Sequence, residues 1–407
     1  MRLAVVSPFV DRRHGTERAL AELLERLARD DRCEIHLYSQ RVEDLRVGLA
    51  GADSSAAHGA RSGTIIWHKV PSLPGPHIWR FLFWLFANTF LRRWDQILHR
   101  LHFDLVLSPG INCFDADIVI AHALFHRLRE LACEEASASG QSTILRRFHR
   151  RTYYSLLTWL ERRIYAKPSV SLAAVSRRTA ALLRTYFHRE DVRVIPNGVD
   201  VAQFSAEKRL ALRANARSHY KFQDADFVLL FIGNDWRNKG LATIFAAMSA
   251  CRDVPLHLLV AGQDATSSAF LEEARKLGLS KQCRWETAPV DAIRLYAAAD
   301  AYVSPTREDA FALPPLEAMA CGLPPITSIN NGGSEIITEK VDGFILIDPN
   351  DANMLAGHLR KLQEQPELCR RIGENAVRTA QAYTWDRSAA ETRDFLLAAK
   401  RQRATQP

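Results

Sequence analysis

No apolar run in this sequence reaches the roughly 18 uncharged residues that a helix needs to cross a bilayer, so helical integral-membrane classes are excluded. The seven cysteines, Cys33, Cys113, Cys133, Cys251, Cys283, Cys321 and Cys369, include no Cys-x-x-Cys pair. That removes the usual zinc and redox spacings, and it points to a reducing cytoplasm where thiols serve as small buried apolar groups. The loop after the first apolar strand holds one glycine, Gly15, so the three-glycine dinucleotide fingerprint is missing and nicotinamide-dependent hydride transfer fits poorly. Internal repeats and low-complexity tracts are also lacking. The opening segment, Met1–Val10, is apolar but gives way at once to the charged Asp11–Arg18. Without a normal apolar core or a small-residue cleavage site, it reads as a first strand and not as a signal peptide.

What is present is ordinary globular composition, 47% hydrophobic and 25% charged over 407 residues, a length that suits two α/β domains. The net charge of +8 is lopsided. Residues 1–200 carry 29 Lys and Arg against 21 Asp and Glu, and 11 of the 14 His, whereas residues 201–407 are balanced at 25 each. A basic first half favours an anionic partner: a phosphorylated acceptor, a lipid headgroup or nucleic acid. No nucleic-acid-binding motif supports the last of these.

Apolar strands alternate with amphipathic helices along the whole chain, the pattern of parallel sheets covered on both faces. In the first half, strands are expected at Leu3–Pro8, Glu34–Ser39, Thr64–Lys69, Leu105–Ser108, Ile118–Ala121, Ser171–Ala174 and Val192–Ile195. Helices are expected over Glu17–Ala28 and near 77–101, 142–167 (with Gln141–Thr143 as capping residues) and 176–187. The turn Pro196-Asn197-Gly198 marks a break, followed by a linker. A second series then runs from the strand Phe227–Ile232 through Leu256–Ala261, a strand near Cys283–Thr287, and Ala301–Ser304, with helices at 240–250, 267–278, 291–298 and 314–321. The expected domains are 1–198, joined by a C-terminal helix over 387–403, and 199–386. Two Rossmann-like halves imply a ligand at the carboxyl ends of their strands.

Thr306–Pro325 carries the most specific chemistry. A strand ends at Ser304, a loop follows, and a helix opens on Pro314 and Pro315, residues suited to a first helical turn. Unpaired N–H groups there, with the amides of Phe311, Ala312 and Leu313, would cradle a phosphate. Asp309 and Glu317 stand eight positions apart in this string. A carboxylate beside a phosphate site makes sense if it accepts hydrogen bonds from sugar hydroxyls; the alternative is a pair of solvated helix-end acids. Upstream, Gly233-Asn234-Asp235-Trp236-Arg237-Asn238-Lys239-Gly240 links a buried strand to a helix and places two cations where a departing diphosphate could be neutralised.

This acidic-x7-acidic string resembles the signature of the large retaining glycosyltransferase family with two Rossmann-like domains (GT-B type, family 4-like, group 1), which includes sucrose synthases, mannosyltransferases and lipopolysaccharide core glucosyltransferases. The resemblance implies an α/β GT-B fold, two Rossmann-like domains facing a central cleft, with the acceptor on the first domain and the nucleotide-sugar on the second. It implies that Glu317 holds the ribose hydroxyls and that Asp309, where the family usually has Glu, reads the hexose. Lys239 and Arg237 would stabilise the leaving diphosphate, with Gly233 and Gly262 bordering the nucleotide at strand ends. The loop departs from many family members in having Asn234 where they have Arg, and looks more like that of the core glucosyltransferases. Gly15-Thr16 corresponds to the family's small-residue loop near the donor phosphate, and His122 to a His near the transferred sugar. Asn331-Gly332-Gly333-Ser334-Glu335 is similar to the family's Gly-Gly…Glu element. Asn112 ends a Pro-Gly-x-x run where the core glucosyltransferase has Asp.

The activity implied is metal-independent hexosyl transfer with retention, from a nucleotide diphosphate sugar to a glycan or lipid-linked acceptor in cell-envelope polysaccharide or lipopolysaccharide synthesis. No cofactor is expected, and a monomer is favoured. Asp115-Ala116-Asp117 has metal-motif spacing but lies outside the donor half. The alternatives are a nucleotide-sugar 2-epimerase and a non-catalytic nucleotide-sugar-binding protein. An α-glucan phosphorylase would need a pyridoxal lysine and a much larger chain.

Residues Ile78–Trp94 are dense in aromatics and end in cations. They read either as a core helix flanked by solvated charge or as an interfacial helix at an anionic membrane, assisted by the arginine-rich Arg146–Arg151. The second reading places the protein in the cytoplasm at the inner face of the membrane.

Overall fold

The computed structural model describes residues 1–29, 33–49, 65–139, 144–288 and 291–405, the side chains of 49, 135–139, 144–150 and 405 excepted. The chain divides into two compact units, Met1–Pro196 with Trp385–Pro407, and Asn197–Thr384.

The first unit runs β1 (Arg2–Val6), β2 (Phe9–Val10), α1 (Gly15–Ala28), β3 (Glu34–Ser39), β4 (Arg41–Val42), β5 (Val47–Leu49), β6 (Ile65–Lys69), α2 (His77–Leu98), β7 (Leu105–Ser108), β8 (Ile118–Ala121), α3 (Phe125–Ser139), α4 (Ile144–Tyr165), β9 (Ser171–Ala174), α5 (Arg177–Phe187) and β10 (Arg193–Val194). Its main sheet has the order β10-β9-β8-β7-β1-β3-β6-β5, with parallel pairings throughout, and β2 pairs separately with β4. Strands buried on both faces need no polar alternation, which is why β1 and β8 are continuous apolar runs with every residue from Leu3 to Val6 and Ile118 to Ala121 buried.

The second unit runs α6 (Ala206–Tyr220), β11 (Phe227–Ile232), α7 (Leu241–Ala250), β12 (Leu256–Ala261), α8 (Ser267–Lys276), β13 (Cys283–Glu286), α9 (Ala292–Ala298), β14 (Ala301–Ser304), α10 (Leu313–Ala320), β15 (Pro325–Ser328), a 3₁₀ turn (Gly332–Ile336), β16 (Phe344–Leu346), α11 (Ala352–Glu364) and α12 (Pro366–Ala380). Its parallel sheet has the order β13-β12-β11-β14-β15-β16. The last helix, α13 (Trp385–Thr405), returns to the first unit, where Asp386 accepts from Arg26 Nε at 2.9 Å and Lys400 pairs with Asp104 at 3.0 Å.

The expected linker after residue 205 is in fact α6, opened by Ser205, whose hydroxyl accepts the Lys208 N–H at 3.2 Å. Its sequence shows no apolar stripe because it buries an arginine: Arg217 is fully enclosed and reaches Asp300 at 2.6 Å. The helix α3 was likewise not anticipated, and the first strand stops at Val6, not Pro8. The expected caps Gln141–Thr143 lie outside the described residues.

Both sheets have one place where successive strands leave in opposite directions, between β1 and β7 and between β11 and β14. Loops at the carboxyl ends of such strands diverge and leave room for a ligand.

Candidate active site

In the second unit, backbone contact stitches the loops after β11, β12 and β14 together. Gly240, with φ +82°, lies so close to the β14 loop that a Cβ would sit 2.2 Å from the Pro305 carbonyl oxygen. Gly262, with φ +118°, would place a Cβ 2.2 Å from the Gly233 oxygen. Both positions demand glycine on conformational and steric grounds. Asn238 donates to the Glu308 carbonyl at 2.9 Å, and the Arg307 N–H returns to Asn238 O at 2.7 Å. The buried Trp236 anchors the first loop by donating from its backbone to Asp264 Oδ2 at 2.7 Å and from its indole to Gly233 O at 2.8 Å. Asn234 accepts the Gln263 N–H at 3.1 Å and so ties this loop to the one after β12.

These contacts bring Lys239 to Asp309. The ammonium pairs directly with the Asp309 carboxylate, and both side chains are largely but not wholly enclosed. Arg237 on the same loop is exposed, beside Asp264. Burial alone would raise the Asp264 carboxyl, but hydrogen bonds from Thr266 and the Trp236 N–H, with the charge of Arg237, hold it below its ordinary value.

Asp309 is fixed from behind. Its backbone bridges Asn331, donating to Asn330 O at 3.1 Å and accepting from Gly332 N at 2.8 Å. Asn331 is fully buried: its Oδ1 accepts the Ala312 and Gly333 N–H groups, each at 3.0 Å, while its amide donates to Thr327 Oγ1 at 3.2 Å. The Phe311 and Ala312 amides, expected to face a ligand, both have acceptors within the protein. Phe311 N–H is held by Asp309 Oδ1 at 3.0 Å and Ala312 N–H by Asn331. Pro314 and Pro315 have no N–H to give, so the first turn of α10 offers a phosphate chiefly Leu313, whose N–H has no intrahelical acceptor at that position.

Glu317 lies one turn into α10, 3% exposed, and accepts from the Tyr296 hydroxyl at 2.6 Å. Burial, reinforced by the Glu317 charge, holds that phenol well above its ordinary value, so it stays protonated and a donor. The buried Tyr302 of β14 senses both Glu317 and Asp309, which sets the two carboxylates around the same strand. Asn331 and Tyr296 were not singled out from the sequence. Asn331 lies inside the glycine element, where the glycines carry the visible signal, and Tyr296 lies in the apolar helix α9, where nothing local marks its bond to Glu317.

In the first unit, His122 follows β8. Burial drives its imidazole down to about 4, so it is neutral near pH 7, and its Nδ1 is 3.2 Å from the Ile120 carbonyl oxygen. A carbonyl only accepts, so Nδ1 carries the proton and Nε2 is left as an acceptor. Gly15 and Thr16 open α1, whose N-cap His14 makes no side-chain capping bond; a Cβ added at Gly15 would meet nothing within 4 Å. Asp115 and Asp117 serve structure: Arg92 forks onto Asp115 at 2.7 and 3.0 Å, and Asp117 accepts the Val106 N–H at 2.8 Å. Among the described residues, no group of three or more His, Cys, Asp or Glu is placed to hold a metal ion.

Two parallel α/β units with glycine-bearing loops at their switch points define a GT-B class fold, and similar solved structures agree. The lipopolysaccharide-biosynthesis glycosyltransferase WaaG matches with a TM-score of 0.74 at 20% identity, covering 97% of this chain and 99% of that one. Anabaena HepE, solved with UDP and glucose, matches at 0.67 and 18% identity over 98% and 100%. Residues 13–203 match the family described as Glycosyltransferase Family 4, and residues 213–379 that described as Glycosyl transferases group 1; the chain belongs to this glycosyltransferase family. The D-inositol 3-phosphate glycosyltransferase of Pseudarthrobacter chlorophenolicus is 31% identical over 243 residues, 57% of this chain and 56% of that protein. The chain spans about half the length of the curated relatives it matches.

Proposed function

We propose that this protein transfers a hexose, with retention and without a metal, from a nucleotide diphosphate sugar to a glycan or lipid-linked acceptor of cell-envelope polysaccharide or lipopolysaccharide synthesis. The observation that carries the reading is the Lys239–Asp309 pair at the switch point of the second sheet. A cation and a carboxylate held by separate loops can exchange each other for a ligand that bears both a diphosphate and sugar hydroxyls. Lys239 then faces the diphosphate, joined by Arg237 and the Leu313 N–H, and Asp309 is released to accept from the hexose. Glu317, steadied by Tyr296, takes the ribose hydroxyls.

In the transfer step, the bond from the anomeric carbon to the diphosphate oxygen breaks and the bond to the acceptor oxygen forms on the same face. The acceptor's proton passes to the departing phosphate oxygen. Negative charge grows on the diphosphate as it leaves, so a positioned ammonium lowers the barrier more than it strengthens ground-state binding. In the first unit, the family resemblance assigns Gly15-Thr16 to the donor's phosphate or sugar. It assigns His122 to a hexose hydroxyl, and the neutral Nε2 acceptor fits that role better than any sharing of positive charge. A cytoplasmic setting accords with the scattered cysteines, four of which are buried as thiols.

The test is a thermal-shift screen of UDP-, GDP- and ADP-sugars followed by transfer to a lipid-extract acceptor pool, with and without EDTA. One donor class should raise the melting temperature and support EDTA-resistant transfer with the anomeric configuration kept. No stabilisation by any donor, or transfer lost to EDTA and restored by Mn²⁺, overturns the reading.

A further inference from the structure

Helix α2 is apolar on both sides: Trp84, Leu85 and Ala87 enter the core, and a second apolar stripe faces outward. Its buried positions include Asn88, Arg92 and Asp95, while Trp79, Phe86, Phe90 and Ile97 are 66%, 70%, 54% and 75% exposed. The inward polar groups are engaged: Asn88 donates to the Trp84 and Asn112 carbonyls, Arg92 forks onto Asp115, and Asp95 accepts from the Tyr38 hydroxyl at 2.7 Å and lies 2.8 Å from His68 Nδ1. The register is therefore fixed by those partners, and the outward apolar stripe is its consequence. Residues 79, 86, 90, 94 and 97 follow the three- and four-residue spacing of one helix face, roughly 27 Å long. Phe86, Phe90 and Trp94 stack in sequence with ring centroids 6.2 and 5.8 Å apart, so the face is ordered before any partner arrives.

Charge says what kind of partner fits. The single carboxylate of α2, Asp95, is buried, whereas Arg80 and Arg93 are exposed. The same division recurs in α4, which touches the start of α2 through the edge-on rings of His77 and Tyr153 at 6.4 Å. Its single carboxylate, Glu161, is buried against the Phe125 and His126 amides, while Arg151, Arg162 and Arg163 are exposed, Arg163 above an exposed Trp159. The side chains of 146–150, the rest of the arginine-rich segment, lie outside the described residues. A folded protein surface would need acids to meet these arginines and apolar groups to meet the aromatics. An anionic bilayer offers both at the depths where a helix lying in its plane presents them. Among the described residues no helix is long and apolar enough to cross a membrane, which leaves the in-plane arrangement.

We infer that the outward face of α2, which carries its own exposed Arg80 and Arg93, is a docking surface for an anionic lipid bilayer. The inference deepens the lipid-linked branch of the proposed function but does not depend on the donor site, so the two are separable by experiment. The full-length chain is sedimented with vesicles of phosphatidylglycerol and phosphatidylethanolamine, or of phosphatidylcholine alone, and donor-induced thermal shift is measured on the same preparations. Binding should favour the anionic vesicles at low salt and weaken as salt rises. Phe86→Ser with Phe90→Ser should reduce it on the order of tenfold or more, and Arg93→Gln by about fivefold, with melting temperature and donor response unchanged. Brominated acyl chains should quench tryptophan emission of the unsubstituted protein. Equal partitioning to both vesicle types, equal binding of the double variant, or no quenching overturns the inference. So does a lipid-free dimer that the double substitution dissociates, since a second copy would then own the face.

Discussion

Each sheet in this protein reverses its winding once, and the two reversal points are built to different rules. At β11 and β14 the loops are locked: Gly240 and Gly262 each stand where a Cβ would fall 2.2 Å from a backbone oxygen, and Lys239 and Asp309 close the contact. At β1 the loop entering α1 is open, with empty space beside Gly15 and no capping bond from the His14 side chain. A glycine alone therefore says little about function. At Gly240 and Gly262 the fold itself requires it, whereas at Gly15 no described atom comes within 4 Å of an added Cβ, and a requirement there must come from a ligand.

The sharpest way to break this comparison is Gly262→Ala. A methyl group against the Gly233 carbonyl at a positive φ should cost about 3–5 kcal/mol and lower the melting temperature by roughly 10 °C. A melting temperature within experimental error of the parent would mean that the loops are not in contact. The next effect falls on rate. Lys239→Ala should lower kcat by about 10²–10³-fold while leaving donor affinity within a few-fold, because the ammonium matters most when the diphosphate is leaving. The same variant frees the Asp309 carboxylate from its pair, so Lys239→Ala with Asp309→Asn should lose less than the two single losses combined. Strict additivity would argue that the pair never exchanges for a ligand.

A smaller effect separates the units by pH. His122 takes up a proton less readily folded, at about 4, than unfolded, near 6.5. As pH falls through that window the unfolded chain is protonated first, so stability drops; above it the term is constant. The buried His36 is lowered by burial too and contributes with the same sign. His122→Asn should flatten part of the acid limb of a melting-temperature profile and leave the neutral plateau alone. An unchanged slope between pH 6.5 and 4 would contradict a neutral, half-buried imidazole.

Much of this was legible beforehand where the physics is local. The strands β7, β8, β11 and β14 could be bounded to the residue because doubly buried parallel strands are near-continuous apolar runs, and β3, β9 and β12 because their few polar residues sit among apolar ones in the same alternation of strand and helix. Hidden features depended on distant partners. Arg217 looks like surface charge until Asp300 meets it, and α6 then has an inward face that no hydrophobic pattern reveals. The aromatic density of α2 suits a core helix equally well until Arg92 and Asp95 are seen turning inward. Similarly, Ala312 looked like an open amide because the long-range claim of Asn331 on it leaves no trace in local spacing, whereas the turn of Asp309 onto Phe311, two residues on, is a local habit of Asp.

Gly15→Ala is the counterpart of the first substitution and should have the least effect on the fold. With nothing within 4 Å of the new methyl group, and a helical position where alanine is favoured over glycine, the melting temperature should hold or rise slightly. If a donor phosphate or sugar packs against that backbone, the methyl group occupies its place and kcat/KM should fall by about tenfold, with KM for the donor carrying most of the change. Gly262→Ala and Gly15→Ala would then separate completely, one lost to folding and the other to binding. A Gly15→Ala enzyme as active as the parent would show that the empty space at α1 is only a solvent-filled recess, and the contrast between the two reversal points would lose its functional meaning.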